Sequence, residues 1–222
     1  MLHILGYCTD INHQNISFLK NRLPSLEIIN SNEIELSQTF YAKSYYILEK
    51  IKTYNKNDYV IVCDLYDVLP LWYTNIDSLY ESIKINFDLD KITFNAEVGC
   101  YPDCSIANSY PKQNYKWKYL NAGLYFGKVL NIINMLNISI DKIKTEMDQL
   151  VFSKLFLSSN LIALDYECRV FQSVYEGTIG GSMNLNDFYI QDNIIYNKYF
   201  NTKPLFFHGN GKTNMSKLSP YL

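Results

Sequence analysis

The sequence predicts a single mixed-sheet α/β domain over residues 1–222, and three observations predict it. Short apolar runs such as Tyr59-Val60-Ile61-Val62-Cys63 stop abruptly at polar or acidic residues, as buried strands of an α/β sheet do. Between such runs lie longer stretches with apolar residues at helical spacing, for example Tyr41, Tyr45, Leu48 and Ile51. Carboxylates, a histidine and glycines gather just beyond the ends of the runs, where open α/β sheets bind their ligands. Composition agrees: 48% hydrophobic against 19% charged residues is enough to bury a core. A length of 222 residues is ordinary for one α/β domain.

Residues 2–7 read as a first strand running into Cys8-Thr9-Asp10, a fitting start for a nucleotide-binding α/β unit. Residues 16–23 form a short helix stopped by Pro24, and 26–29 a second strand. Helical spacing over Thr39–Ile51 carries Lys43 in its first turns. After the strand at 59–63, residues 76–83 make a helix capped by Asn75 or Thr74. Ile92–Glu97 is a strand followed by the Pro-marked loop Cys100-Tyr101-Pro102-Asp103-Cys104. Residues 119–127 hold another strand, and 141–157 one helix with a stripe at Ile143, Met147, Leu150, Val151 and Leu155. A strand at 161–164, a mixed stretch at 178–196 and the closing run Pro204 through Gly211 complete the chain.

The formal charge is −2 and no basic block appears, so neither nucleic acid nor an anionic membrane is an expected partner. No apolar run reaches membrane-spanning length, and the first six residues lack the charge and length of a signal peptide. Five cysteines in no zinc-like spacing leave Cys8 and Cys63 as buried thiols. Their spacing leaves open a bridge from Cys100 to Cys104 or to Cys168.

The chemistry centres on Asp64 and Asp67. On a continuing strand they would face opposite ways, but a turn at Leu65 brings them together. Paired carboxylates there suit a hard divalent cation, and such a cation suits a diphosphate. An Asp-rich turn beside a helix cap would leave the same trace. His208 ends an apolar run and is followed by Gly209-Asn210-Gly211, whose glycines let backbone N–H groups approach a phosphate. Two carboxylates with one imidazole fit Mn²⁺ or another first-row ion better than Ca²⁺. His3 and His13 have no such setting and read as structural. Asp148 falls on the apolar side of its helix, which suits either a pocket-lining acid or an acid favoured by the helix dipole. Lys43, Lys212 and Lys217 are candidate diphosphate contacts, and Glu97 and Asn121 end strands on one rim.

Together these stretches resemble the collagen glycosyltransferase family, and more closely the glycosyltransferase domain of procollagen lysyl hydroxylases and its free-standing giant-virus relatives. Cys63-Asp64-Leu65-Tyr66-Asp67 resembles the family's Asp-x-x-Asp motif. Phe94-Asn95-Ala96-Glu97 through Cys100-Tyr101-Pro102 is similar to its Phe-Ser-Ala-Glu and Cys-Trp-Pro segment. Tyr110-Pro111 and Leu120-Asn121-Ala122-Gly123 follow its Tyr-Pro and Leu-Asn-Ser-Gly, and Asp148-Gln149-Leu150 its acidic Asp-Gln-Leu. Leu164-Asp165, Phe171-Gln172 and His208-Gly209-Asn210-Gly211 complete the order, from about residue 2 to 217.

The resemblance implies a GT-A-type nucleotide-sugar-binding fold that takes a UDP-sugar with Mn²⁺. It implies that Asp64, Asp67 and His208 hold the metal and that Tyr66 stacks on uracil. Tyr7 and Thr9 would flank the nucleoside, and Lys43 would face the nucleotide. Gly209, Asn210, Gly211 and Lys212 would lie along the diphosphate, with Asp148 and Asn121 facing the sugar or acceptor. Three departures stand out: Tyr101 replaces a Trp, Met147 interrupts the acidic run, and Asn214 replaces a Lys that Lys212 or Lys217 would have to succeed. The expected function is transfer of glucose from UDP-glucose to galactosyl-hydroxylysine on collagen-like chains, in the cytoplasm or a viral factory. The alternatives are transfer of galactose from UDP-galactose to hydroxylysine, a non-catalytic UDP-sugar- or collagen-binding domain and, less favoured, a metal-dependent hydrolase.

Overall fold

The computed structural model describes residues 1–31, 39–71, 75–112, 114–174 and 183–221. Its frame is a six-stranded mixed sheet built from β1 (Leu2–Cys8), β2 (Leu26–Asn30), β3 (Tyr59–Asp64), β5 (Ile92–Glu97), β6 (Tyr119–Lys128) and β7 (Ile162–Asp165). The strand order is β2-β1-β3-β6-β5-β7. β1 runs parallel to both β2 and β3, β6 runs antiparallel to β3 and β5, and β7 is parallel to β5.

Alternate residues of the central strands face two different cores, which is why their sequences are apolar throughout. On one face Leu5, Val60, Val62, Phe94 and Tyr125 pack against α2 (Thr39–Ile51), α4 (Val129–Ile143) and α5 (Asp148–Ser158). On the other, Ile4, Ile61, Leu124 and Phe126 meet α1 (Gln14–Arg22) and α3 (Ile76–Asn86). Each fully buried Leu, Ile, Val or Phe contributes about 1.5–3 kcal/mol relative to exposure. Asn75 caps α3 by accepting the Ser78 N–H; Thr74 lies outside the described residues.

A second sheet of three short strands stands against the second core, in the order β4 (Val68–Pro70), β11 (Phe206–His208), β8 (Phe171–Ser173). β11 pairs antiparallel with β4 and parallel with β8. A hairpin of β9 (Phe188–Gln191) and β10 (Ile194–Asn197) occupies the described part of the stretch expected to be mixed. Its first residues, 178–182, lie outside the described residues.

Two expectations are corrected. The single helix expected over 141–157 is two helices, α4 ending at Ile143 and α5 starting at Asp148. The break falls where Thr145 turns its hydroxyl back onto the Lys142 carbonyl and Met147 adopts extended backbone. It brings Asp148 to the first turn of α5, as the helix-dipole reading has it, and leaves it buried with Lys43 3.5 Å away. No bridge forms from Cys100 to Cys104 or Cys168: all five cysteines are free thiols, with Cys8 and Cys63 buried as expected.

Candidate active site

The site lies at the carboxyl ends of β1 and β3. Parallel pairing sets Tyr7 beside Asp64, and the chain then turns through Leu65, Tyr66 and Asp67 into β4. That turn needs Gly6. A Cβ at Gly6 would come within 2.2 Å of a Leu65 methyl, so a glycine in β1 leaves the hole that Leu65 fills. Asn15 on α1 clamps the turn, donating from Nδ2 to the carbonyls of Leu65 (2.9 Å) and Val68 (3.0 Å). The Tyr66 hydroxyl accepts the N–H groups of Thr9 (2.8 Å) and Asp10 (2.7 Å) and lies 3.0 Å from the Thr9 hydroxyl. Its ring is partly exposed and tilted against His13, 4.7 Å between centroids.

His208 arrives from the far end of the sequence. Its residue pairs with Val68 in the β4–β11 ladder, and the Gly209 N–H donates to the Asp67 carbonyl at 2.8 Å. A Cβ on Gly123 would lie 2.1 Å from His208 Cε1, so the imidazole sits in space that a glycine of β6 leaves free. His208 Nε2 lies 3.3 Å from Asp67 Oδ1. Neither ring nitrogen makes a hydrogen bond within the protein, although the side chain is only 3% exposed. Burial alone would lower the His208 pKa, but Asp67, Asp64 and Glu97 outweigh it and hold it above the ordinary value.

Asp64, Asp67 and His208 each offer one ligand atom within 4.8 Å of the others. Asp64 and Asp67 remain 35% and 27% exposed, so the cluster opens toward solvent on its carboxylate side. A buried imidazole with no well-formed hydrogen bond, 3.3 Å from one of two facing carboxylates, fits a first-row divalent cation.

Lys43 reaches in from α2. Its ammonium lies 2.7 Å from Asp64 Oδ1 and 3.5 Å from Asp148 Oδ2, and donates to the Ala122 carbonyl at 3.4 Å. Burial works against the charge, but the two aspartates raise the Lys43 pKa and keep it charged. Burial also pushes the Asp148 pKa up, against the pull of Lys43.

Behind the cluster stands a saturated polar network. Glu97 accepts from Gln149 Nε2 (2.6 Å) and Asn210 Nδ2 (2.5 Å), and burial moves its pKa up to about 7. Gln149 also donates to the Tyr101 carbonyl and accepts the Ala122 N–H. The Asn210 carbonyl oxygen accepts the Ser173 hydroxyl at 2.7 Å, and Asn121 Oδ1 accepts the Gly123 N–H at 2.9 Å.

The structure thus brings Asp64, Asp67, His208, Lys43 and Asp148 into one cluster, with Asn210 and Asn121 on the network behind. Tyr7, Thr9 and Tyr66 stand at the end of β1, where Tyr46 stacks on Tyr7. Gly209 and Gly211 flank Asn210 on a short 3-10 turn, with Gly211 at φ +65°. Lys212 lines an open cleft of about 750 Å³ with Tyr66, Asp67, Asn15 and Asn214. Lys217 instead donates to the Met183 carbonyl, so of the two candidate successors to the lysine missing at 214 only Lys212 faces the cleft. His3 contacts Asp58 at 3.1 Å, away from the site, whereas His13 both caps α1 and lines the cleft beside Tyr66. Sequence reasoning missed the supporting roles of Gln149, Ser173 and Asn15. Only Gln149 carried a signal, its place next to Asp148.

Comparison with known proteins gives a consistent set of likenesses. Residues 33–222 match the model of the PLOD GT domain family. An uncharacterised protein of Acanthamoeba polyphaga mimivirus is 35% identical over 164 residues, 74% of this chain and 33% of that protein. Procollagen-lysine,2-oxoglutarate 5-dioxygenase of Drosophila melanogaster is 32% identical over 172 residues, 73% of this chain and 23% of the relative. A multifunctional procollagen lysine hydroxylase and glycosyltransferase of Caenorhabditis elegans is 29% identical, with the same coverage. The chain therefore spans about a third or less of the length of these relatives. Among solved structures, a glycosyltransferase involved in glycosylation of the major capsid of PBCV-1 shares the fold. Its TM-score is 0.55 at 12% identity, with 99% of this chain and 98% of that one covered.

Proposed function

Since the chain belongs to the PLOD GT domain family and has a GT-A-type fold, we propose that this glycosyltransferase domain transfers a hexose from a UDP-sugar, with Mn²⁺, to a collagen-like acceptor. Residues 1–222 act as one catalytic unit. The donor is UDP-glucose and the acceptor galactosyl-hydroxylysine, with UDP-galactose and bare hydroxylysine as the alternative pair. The observation that carries the reading is the Asp64–Asp67–His208 cluster, with both buried His208 nitrogens lacking a hydrogen-bond partner.

Asp64, Asp67 and His208 hold the cation, which when bound neutralises charge on the departing diphosphate. Thr9 and Tyr66, locked together through the Tyr66 hydroxyl, form the nucleoside end with Tyr7. Tyr66 keeps part of its ring exposed for uracil. Backbone N–H groups of Asn210 and Gly211, together with Lys212, cradle the diphosphate, while Gly209 lies against it with its own N–H held by the Asp67 carbonyl. Asp148 and Asn121 face the sugar. Buried against Lys43, Asp148 is placed to stabilise positive charge developing on the sugar ring rather than to act as a nucleophile.

The test is UDP release with Mn²⁺, comparing UDP-glucose and UDP-galactose with and without galactosyl-hydroxylysine. Acceptor-stimulated release confined to UDP-glucose is expected. Preference for UDP-galactose with a hydroxylysine acceptor would establish the alternative donor. Mn²⁺-dependent UDP binding without release from either donor would turn the reading to a binding module, which the departures at Met147 and Asn214 favour.

A further inference from the structure

Lys43 and the cation cluster claim the same carboxylate. Asp64 Oδ1 takes the Lys43 ammonium at 2.7 Å, while Asp64 also belongs to the trio whose ligand atoms lie within 4.8 Å of one another. An ammonium and a divalent ion on one carboxylate repel each other strongly at such range. The ammonium has a second seat close by. Asp148 Oδ2 lies 3.5 Å away on a side chain only 4% exposed, and its Oδ1 is already engaged by the Gln149 N–H. A lysine stem is long and flexible enough to pass between two carboxylates this close, and both lie within reach of a single rotamer change.

We propose that Lys43 is a positioning residue with two seats: it competes with the divalent cation for Asp64 and moves toward Asp148 when the cation binds. Asp148 then tunes cation affinity without touching the cation, because it supplies the seat that the displaced ammonium takes. Loading of the cation and the charge environment of the sugar-side acid become one event. The inference rests on the reading that Asp64, Asp67 and His208 hold the cation.

The experiment is calorimetric titration of MnCl₂ into the whole protein without nucleotide. It compares the wild type, Lys43→Met, Asp148→Asn and the double variant, with Asp64→Asn as the control for the cation site. Lys43→Met is expected to bind Mn²⁺ about tenfold more tightly than the wild type. Asp148→Asn, which removes the second seat, is expected to bind about threefold or more weakly, and in the Lys43→Met background the same change should have almost no effect. Lys43→Arg, whose planar fork can grip both carboxylates at once, is expected to weaken Mn²⁺ binding and serves if Lys43→Met fails to fold. Equal weakening by Asp148→Asn in both backgrounds would mean that Asp148 acts through its own charge, and would overturn the two-seat arrangement. Weaker Mn²⁺ binding by a folded Lys43→Met would show that Lys43 orients Asp64 instead of competing for it, and would overturn the proposal while leaving the cation site intact. If Asp64→Asn binds Mn²⁺ as the wild type does, the cation site itself is misassigned and both readings fall.

Discussion

Two halves of the site differ in how their polar groups are satisfied. Around Glu97 the protein completes its own hydrogen bonding: Gln149, Asn210 and Ser173 form a chain in which each polar atom has a partner within the fold. Around Asp67 and His208 it does not, for two acids stay partly exposed and a buried imidazole is left without a hydrogen bond. The saturated half sets the shape, and the unsaturated half is the one to which we assign the cation. Polar burial is costly when incomplete, so an imidazole buried without a hydrogen bond beside two acids calls for an explanation, and a bound cation is one.

The comparison breaks most visibly at Asp67. Asp67→Asn should weaken Mn²⁺-dependent UDP binding on the order of 100-fold, while the thermal midpoint moves less, because the side chain is partly exposed and its 3.3 Å ion pair is with His208 of the same cluster. A drop in stability as large as the drop in binding would place Asp67 with the saturated half.

Glu97 gives the next effect, through pH. Its carboxyl has a pKa of about 7 in the fold against 4.5 for the ordinary group, chiefly through burial. A pKa raised on folding contributes stability that is complete below pH 4.5 and is lost as pH climbs through 7. Relative to Glu97→Gln, which does not titrate, the wild type should lose about 3 kcal/mol of unfolding free energy across that window. Urea midpoints at intervals from pH 4.5 to 7.5 would read it, and parallel curves for the two proteins would sink the assignment.

Gln149→Leu should do less. It removes a donor to Glu97 and an acceptor for the Ala122 N–H, leaving buried groups unpaired at about 1–3 kcal/mol. UDP affinity should change by under about threefold if the network only shapes the site. A larger loss of affinity at unchanged stability would move Gln149 to the ligand-facing half.

The same division governed what the sequence disclosed. Asp64 and Asp67 were legible because a buried strand delivers them and one turn joins them, so the information is local. The central strands were legible for the same reason, as runs apolar on both faces. The three-residue strands β4 and β8 were not, since three residues carry no period. The break between α4 and α5 was hidden because the apolar stripe continues across it, and only Thr145 and the extended Met147 mark it. Hydrogen bonds such as Glu97 to Asn210, 113 residues apart, leave no local trace. Residue chemistry already grouped His208 with the two acids as a cation set, and the resemblance added the nucleotide-sugar it would serve.

The pairing of β11 between β4 and β8 has a consequence for how the protein is made. A ribosome delivers Asp64 and Asp67 long before His208, and N-terminal segments begin to fold as they emerge. The first strands can assemble with the acid pair in place, but the imidazole arrives only when β11 slots into the gap that β4 and β8 leave for it. A nascent chain stalled before residue 206 would therefore carry both acids without the imidazole of the proposed cation set, which comes only with β11.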